Sequence, residues 1–426
     1  MALDTLPAEL LECIAEWIPP DLPALLDLRI TCSKICRSTH KVFVSRYFTD
    51  RTFMLADPAS METLLCISQR SDLRRSMHTL RFSFATMREA EDWVAGALYH
   101  LDETALNPVD ATQLKELHWN GGMHKRLVKA EARFRRSADD VRVLHKVLTN
   151  FHRSGHIPTI VAGGRDFCTD DYQRRASGYM HRLRRFAKPV QHYEAALIGV
   201  DHHDPTRFHM LYQAIRETEY PVQQLQLGSE VFGLPLCVFE PFSRTGGVST
   251  FSRLKALRLA IAPTNRAVAV RQWLGPRIQP ALRHFIAFLA EAANLELLAL
   301  SRSECNLELD GSESIFRALA RAIMDGRVSS LPQAAQSTPI LQQLQHFELE
   351  GFAFEWRDLV KIVKARRATL RRLTVENVQV RHGSVEGRVP RPADAVLSLQ
   401  EAFGDGVLDL VGDIFCEKVE KDGLFD

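Results

Sequence analysis

Three residues with metal-binding side chains recur at a regular spacing near the beginning of the chain. Cys32, Cys36 and His40 stand at positions i, i+4 and i+8, so on a continuous helix they would lie along one face. A closed zinc site has four ligands and usually contains a tight Cys-x-x-Cys turn, and neither a fourth ligand nor that turn is visible here. We therefore favour buried thiols in a helix core over a metal centre, and we expect no cofactor.

A second group of potential ligands lies in the middle of the chain, where Asp201, His202, His203 and Asp204 are consecutive. The Asp-His-His triplet resembles a motif of a phosphoesterase family, which implies a metal-dependent hydrolase. That family also has Asp-rich motifs on earlier strands, and none stands upstream here in suitable order. A turn that ends at Pro205, with both histidines exposed to solvent, explains the same residues. The hydrolase is therefore retained only as an alternative.

Other catalytic signatures are absent from the sequence. The chain contains no G-x-S-x-G, H-E-x-x-H, G-x-x-x-x-G-K or G-x-G-x-x-G segment. These segments would mark a hydrolase, a zincin, a nucleotide-binding loop and a dinucleotide-binding loop. We therefore expect a protein that acts by binding other molecules and is not an enzyme.

The composition is typical of a soluble globular protein. Of the 426 residues, 46% are hydrophobic and 25% are charged, and this length allows two or three domains or one long repeat array. The beginning of the chain is acidic, unlike a signal peptide, and no run of about 18 apolar residues lacks charges, so we expect no membrane segment. The eight cysteines follow no framework spacing, which indicates reduced thiols in the cytoplasm or the nucleus.

The net charge of +2 conceals an uneven distribution of charge. Residues 124–188 hold 16 Lys and Arg against 6 Asp and Glu, a balance of +10, whereas the rest of the chain has a balance of −8. The densest part is a predicted helix between Arg174 and Lys188, which carries Arg182, Arg184 and Arg185. Nucleic acid, a calmodulin-like groove and an anionic membrane are chemically compatible with such a helix, but we favour a solvated surface. A further hypothesis is that the tract recognises an acidic or phosphorylated segment of a target, because guanidinium groups pair well with phosphate.

The elements that must position such residues are most clearly marked at the beginning of the chain. Pro7 suits the first position of a helix because it lacks an N–H, and Glu9 faces the positive end of the helix dipole. The apolar side of this helix continues to Ile18, where Pro19 forces the backbone out of the α region. The spacing therefore predicts a first helix that begins at Pro7 and ends before Pro19.

Two further short helices are predicted before residue 50. Asp21 is a suitable N-cap for the second helix, and Ser33 is a suitable N-cap for a third helix that extends to Tyr47. Three helices in about 45 residues bury too small a fraction of their surface to hide this many leucines from water. Part of the apolar surface should therefore contact a partner.

This stretch resembles an F-box, in particular the type found in filamentous fungi. The pattern has a Leu-Pro start, Glu-Leu-Leu, Ile, Asp-Leu, Leu and Cys at F-box spacing, over roughly residues 6–48. It departs from the family at Ile35, where many F-boxes have Trp, and at Ala15, where Leu is common. The resemblance implies docking on the Skp adaptor of a cullin-RING (SCF) ubiquitin ligase. The adaptor-binding residues that it implies are Leu6, Pro7, Leu10, Leu11, Ile14, Ile18, Leu22, Leu25, Leu28 and Cys32.

If the adaptor is absent, the F-box interpretation predicts partly exposed leucine and isoleucine side chains in this stretch. We expect partial exposure at Leu10, Ile14, Leu22 and Leu25. The alternative interpretation is a helical cap on the following domain, which needs no partner.

The rest of the chain repeats the pattern apolar-x-x-apolar-x-apolar. The central residues of its clear copies are Leu80, Leu117, Leu225, Leu257, Leu298, Phe347 and Leu373, and weaker copies are centred on Ile160 and Ala196. Several copies follow amphipathic helical segments, namely residues 141–151, 207–217, 281–293, 312–324 and 356–366. Helices followed by short strands at intervals of 26–49 residues resemble leucine-rich repeats, whose units bury their apolar side chains by stacking on one another.

The predicted fold class is therefore α/β. We expect a three-helix F-box in residues 1–50, an irregular leucine-rich-repeat-like solenoid with a parallel strand ladder in residues 51–389, and a C-terminal cap in residues 390–426. The variable unit length and the missing repeat Asn leave an ordinary α/β domain as an alternative. In a solenoid the concave face would be lined by Arg81, His118, Gln226, Arg258, Ala299, Glu348 and Thr374. Together with the basic tract, this gives the possible target-binding residues Arg81, His118, Arg182, Arg184, Arg185, Gln226 and Arg258.

These patterns predict the substrate-recognition subunit of an SCF ubiquitin ligase. Its partners would be the Skp adaptor, through it a cullin, and an unidentified target protein, whereas membrane and nucleic-acid partners are not expected. An F-box scaffold that acts outside ubiquitination is the first alternative, and its adaptor complex would lack the cullin. A hydrolase would instead show a deep polar pocket around residues 201–204.

Overall fold

The computed structural model of the chain describes residues 3–19, 22–84, 121–163, 205–228, 250–261, 278–302, 311–325 and 340–381. It also describes single residues between 234 and 239 and between 399 and 402, and two short segments at 409–411 and 414–416. Within these ranges the chain forms an α/β structure with twelve α-helices and a large parallel β-sheet. The predicted α/β class is therefore confirmed.

The described residues between 3 and 48 form a helical unit that we call the head. It contains one 3₁₀ turn and four α-helices, namely α1 (Ala8–Trp17), α2 (Leu22–Ile30), α3 (Ser33–Ser38) and α4 (His40–Tyr47). Pro7 is the N-cap of α1, one residue before the predicted position, with φ −54° and ψ 152°. Ile18 is extended at ψ 131°, as expected for a residue that precedes Pro19.

The prediction of three helices in the head is wrong, because the third helix is divided at Thr39. Thr39 has φ −92° and ψ 3° and is the C-cap of α3. Its hydroxyl donates a hydrogen bond of 2.8 Å to the carbonyl oxygen of Ile35, four residues earlier. Such back-bonding by a threonine competes with the helical ladder and bends helices. The N-cap of α3 is Cys32, whose sulfur accepts from the backbone N–H of Ile35, and not Ser33.

The remaining described elements form a unit that we call the body. Its helices are α5 (Pro58–Gln69), α6 (Ser71–Ser76), α7 (Gly121–Arg136), α8 (Asp139–Arg153), α9 (Pro205–Glu217), α10 (Ile278–Glu291), α11 (Gly311–Asp325) and α12 (Trp356–Arg366). Its strands are β1 (Asp50–Met54), β2 (Thr79–Ser83), β3 (Thr159–Ala162), β4 (Gln224–Leu227), β5 (Ala256–Ile261), β6 (Leu297–Arg302), β7 (His346–Glu350), β8 (Ala353–Glu355), β9 (Arg372–Glu376), β10 (Val378–Arg381), β11 (Asp409–Val411) and β12 (Ile414–Cys416).

The main sheet has nine strands, and their spatial order follows the chain. The order is β1-β2-β3-β4-β5-β6-β7-β9-β11, and every neighbouring pair is parallel. Parallel neighbours need a connection that returns along the sheet, and helices such as α8, α9 and α12 lie in these connections. Each strand–helix unit is therefore placed beside the unit that precedes it in the sequence.

The predicted register of the apolar pattern is confirmed where the structure describes it. Leu80 pairs with Ile160, which pairs with Leu225, and the same row continues through Leu257, Leu298, Phe347 and Leu373. The predicted strands around Leu117 and Ala196 lie outside the described residues.

The apolar rows of the strands pack against the helices. Side chains of α5, α8, α9, α10, α11 and α12 join the buried strand residues in one hydrophobic core. Along β5, Leu257 and Leu259 are buried whereas Arg258 is exposed, which is the alternation expected when one face is covered. The other face carries more polar residues and is partly open to solvent among the described residues.

A second, smaller sheet was not predicted. It has three parallel strands in the order β12-β10-β8. The chain passes from β7 to β8 through Gly351, at φ +70°, and from β9 to β10 through Asn377, at φ +52°. Positive φ values turn the chain sharply, so consecutive strands enter different sheets. The predicted C-terminal cap contains β11 and β12, which extend the large sheet and the small sheet respectively.

Candidate partner-binding surfaces

The head exposes an unusual number of large apolar side chains. Six large hydrophobic side chains are exposed among the described residues, and five of them lie in the head. These five are Leu3, Leu10, Trp17, Leu26 and Ile30. Leu10 is 51% exposed and Trp17 is 88% exposed. Several exposed large apolar side chains in one small unit are typical of protein–protein contact sites.

Two of the predicted adaptor-binding residues lie in the interior of the head, contrary to the prediction from the sequence. Leu25 is 0% exposed, so the prediction of its partial exposure is wrong, and Leu11 is also 0% exposed. Leu25 packs with Ala15 and Val42 in a small core of the head. Leu25 thereby helps to hold α1, α2 and α4 together. Neither Leu25 nor Leu11 is available to a partner in this conformation.

The other predicted adaptor-binding residues occupy several environments. Pro7 and Leu10 are exposed, as predicted for Leu10. Leu6, Ile14, Ile18, Leu28 and Cys32 are half-buried, which agrees with the expected partial exposure of Ile14. Leu22 belongs to α2, but its side chain lies outside the described ones.

Sequence reasoning missed four members of the exposed apolar set. Leu3, Trp17, Leu26 and Ile30 were not assigned to the adaptor. Trp17 lies seven residues after Leu10, which is about two helical turns, so helical periodicity alone places both side chains on the same face of α1. Leu26 directly follows the buried Leu25 in a leucine pair, and only helix packing shows which of the two faces solvent.

Cationic side chains fix the relative positions of the head helices. Arg29 Nη1 of α2 donates to the carbonyl oxygen of Cys36 at 3.0 Å, and its guanidinium lies 4.1 Å from the ring centroid of Phe43. Arg46 Nη1 of α4 donates to the carbonyl oxygen of Ile18 at 2.7 Å. These contacts tie α1, α2 and α4 together, so the exposed apolar side chains are held in a defined arrangement.

The residues considered for a metal centre have other roles. His40 Nε2 lies 2.9 Å from Asp72 Oδ2 of α6, which joins the head to the body. Arg70 donates to the same carboxylate, and this hydrogen bond holds the pKa of Asp72 well below its usual range. Within the described ranges no group of three or more His, Cys, Asp and Glu side chains is arranged to hold a metal ion. Cys32 and Cys36 are half-buried free thiols.

The open face of the large sheet is the second candidate surface. Its central row, in register across eight strands, is Thr52, Arg81, Val161, Gln226, Arg258, Ala299, Glu348 and Thr374. The predicted target-binding residues Arg81, Gln226 and Arg258 therefore share one surface. His118 lies outside the described residues, as do Arg182, Arg184, Arg185 and residues 201–204.

Ion pairs organise the charges on this open face. Arg81 Nε contacts Asp50 Oδ1 at 2.6 Å, between the first two strands. Arg258 Nη1 contacts Glu348 Oε2 at 2.7 Å and thereby spans β6, where Ala299 has too short a side chain to obstruct the pair. A bidentate carboxylate contact restricts both side chains, so the face offers fixed polar groups to a bound molecule.

Comparison with models of known protein families found no match, and comparison with curated proteins found none either. The function is therefore inferred from the residues and their geometry. Among the helices that the structure describes, none is long and apolar enough to cross a membrane.

Proposed function

We propose that this chain is an F-box substrate receptor: the head docks on a Skp adaptor of an SCF ubiquitin ligase, and the body holds a target protein. The observation that carries the proposal is the concentration of exposed apolar side chains in the head, where the sequence has F-box spacing. A helical cap that needs no partner would turn these side chains inward. Leu10 and Trp17 instead project into solvent from the same helix.

The body suits the second half of this proposal. We interpret the strand–helix units as an irregular leucine-rich-repeat-like solenoid, because the strands follow the chain order and several neighbouring helices contact one another, namely α8 with α9, α10 with α11 and α11 with α12. Such arrays present a long continuous surface to a partner. The open face with Arg81, Gln226 and Arg258 is our candidate for the target-binding surface.

The adaptor contact can be tested with Leu10→Arg in the full-length chain. Full burial of a leucine contributes about 1.5–3 kcal/mol, and a guanidinium placed in an apolar contact costs still more because it loses its water. We expect the variant to lose co-purification with a co-expressed Skp adaptor. Leu10 is half exposed in the free chain, so the body should remain folded, as judged by circular dichroism and the thermal midpoint.

Met324→Arg is a matched control for this experiment. Met324 is 53% exposed, close to the 51% of Leu10, but it lies on α11 of the body. The same change of charge and size there should leave adaptor binding intact. Equal co-purification of wild type and Leu10→Arg would remove the proposal.

The same pull-down separates the SCF receptor from an F-box scaffold. If the chain recruits targets for ubiquitination, adding the cullin should give a ternary complex with the adaptor that also depends on Leu10. A stable binary complex that excludes the cullin would favour the scaffold function instead.

A further inference from the structure

A charged surface cavity lies between α11 and α12, and none of its lining residues belongs to the head or to the central row of the open face. Its volume is about 360 Å³, which is at the small end of the range for ligand sites. Six charged side chains line it, namely Arg317, Arg321, Glu355, Arg357, Asp358 and Lys361. Four are cationic and two are anionic, so the lining carries a net charge of +2.

The two carboxylates lie beneath the cations and hold them in place. The side chains of Glu355 and Asp358 are 9% and 6% exposed. Glu355 accepts hydrogen bonds from Arg317 and from Nε of Arg357. Lys361 Nζ donates to Asp358 Oδ1 at 2.9 Å. Although burial alone would raise the pKa of Glu355, the bond from Arg357 and the charge of Arg317 lower it, so this carboxylate is ionised at neutral pH.

The cations retain donors that can face a bound anion. Arg357 contacts Glu355 through Nε, and both of its terminal nitrogens are without a partner among the described residues. Arg321 forms no ion pair with any residue that the structure describes, although it is one helical turn after Arg317 and lines the same cavity. A guanidinium in this situation offers five N–H donors in a fixed planar arrangement.

The cavity lining also includes one large apolar side chain. Met324, which also lines the cavity, is the one exposed large hydrophobic side chain outside the head among the described residues. Exposed methionine is suited to contact with an apolar group of variable shape. The cavity therefore combines an excess of positive charge with one accessible apolar contact.

We propose that the cavity binds a phosphate monoester with a small apolar substituent: the phosphate lies among Arg321, Arg357 and Lys361, and the substituent contacts Met324. Phosphate is favoured over carboxylate because it carries close to two negative charges at neutral pH and three acceptor oxygens, which match the net charge and the available donors. The proposal does not depend on adaptor docking by the head.

Calorimetric titration of the full-length chain tests this site with phenyl phosphate as the probe. Benzoate has the same ring with a single negative charge, and inorganic phosphate has the charge without the ring. We expect phenyl phosphate to bind about tenfold more tightly than benzoate and about fivefold more tightly than inorganic phosphate. Equal affinity for phenyl phosphate and benzoate, or no saturable heat at all, would overturn the proposal.

Single substitutions separate the two parts of the site. Arg321→Gln should weaken phenyl phosphate binding about tenfold, because it removes charge-assisted hydrogen bonds. Met324→Gln should reduce the affinity for phenyl phosphate to that for inorganic phosphate and leave inorganic phosphate binding unchanged. Arg367→Gln is the control, since this exposed arginine follows α12 outside the cavity and its loss changes the net charge equally. Equal weakening by Arg321→Gln and Arg367→Gln would show a general charge effect and reject the site.

A phosphate monoester can be free or attached to a protein side chain. Blocked phosphotyrosine and a pentapeptide that contains it distinguish the two sources. Tighter binding of the peptide would assign the site to a phosphorylated protein, and tighter binding of the isolated amino acid would assign it to a free monoester. If neither binds in a manner sensitive to Arg321→Gln, the assignment of the cavity is wrong.

Discussion

Arg207 of α9 is among the largest side chains that the described core buries completely, and it carries a positive charge. Its Nη2 donates a hydrogen bond of 2.7 Å to Glu131 Oε1 of α7, and the two side chains are 2% and 12% exposed. Asp140, at the beginning of α8, is also buried and interacts electrostatically with Arg207. One buried cation therefore holds α7, α8 and α9 together, and substitutions at these positions should show it.

The expected costs of the single substitutions differ. Arg207→Met removes the charge that serves two carboxylates, and breaking a buried pair in this way costs about 3–5 kcal/mol. Glu131→Gln should cost less, about 1.5–3 kcal/mol, because the amide oxygen still accepts from Arg207 and Asp140 still provides negative charge. The double variant should cost less than the sum of the single variants by at least about 1.5 kcal/mol, because the second substitution removes a charge that the first left unpaired.

Urea titration followed by far-ultraviolet circular dichroism measures these differences. Additive costs within about 0.5 kcal/mol would refute the coupling. A pH series gives a second check. Burial already raises the pKa of Asp140, and it should rise further once Arg207 is gone. The folded Arg207→Met variant then binds a proton that the unfolded chain releases, so its stability falls as the pH rises. The loss of stability relative to the wild type should therefore be smaller at about pH 5 than at about pH 8.

Two further predictions concern a carboxyl group and a glycine. Burial raises the pKa of Glu291 to about 7, so the folded state holds this proton more tightly than the unfolded chain does. As the pH rises from about 4.5 to 8, the free energy of unfolding of the wild type should therefore fall by about 3 kcal/mol relative to that of Glu291→Gln in urea titrations. An unchanged difference in stability between the two proteins over this range would contradict the prediction. Gly228 has φ +79°, and an added Cβ would lie 2.7 Å from the carbonyl oxygen of Ala260. Gly228→Ala should therefore lower the folding stability by about 2–4 kcal/mol. Gly155 also has a positive φ of +70°, but no atom lies within 4 Å of an added Cβ, so Gly155→Ala should lower the stability by about 1 kcal/mol. Equal shifts in the thermal midpoint of the two variants would contradict this.

Local periodicity explains how much of the fold could be predicted. The helix at Trp356–Arg366 has the bounds that its apolar spacing predicts, and the row from Leu257 to Leu298 has the predicted register. Side chains recur every 3.6 residues on a helix and every two on a strand, so short stretches of sequence contain this information. Because similar strand–helix units were predicted to stack in chain order, the parallel arrangement of the strands could also be predicted.

The candidate site in the head was predicted only in part, because neighbouring apolar residues are not distinguished by composition. Leu10 and Leu11 are adjacent, yet the first is half exposed and the second is buried. The same holds for Leu26 and Leu25. Which member of each pair faces inward depends on where the neighbouring helices pack, and that position is set by contacts between elements.

The sequence by itself therefore determined the helical head, the strand–helix alternation and the register of the apolar rows. Only the tertiary structure decided the small second sheet, the pairing of Arg207 with Glu131, and the cavity formed by α11 and α12. These features join residues that are far apart in the chain, and Glu131 and Arg207 are 76 positions apart. Burial makes such charge interactions strong, because a charge that is removed from water is stabilised only by partner groups within the fold.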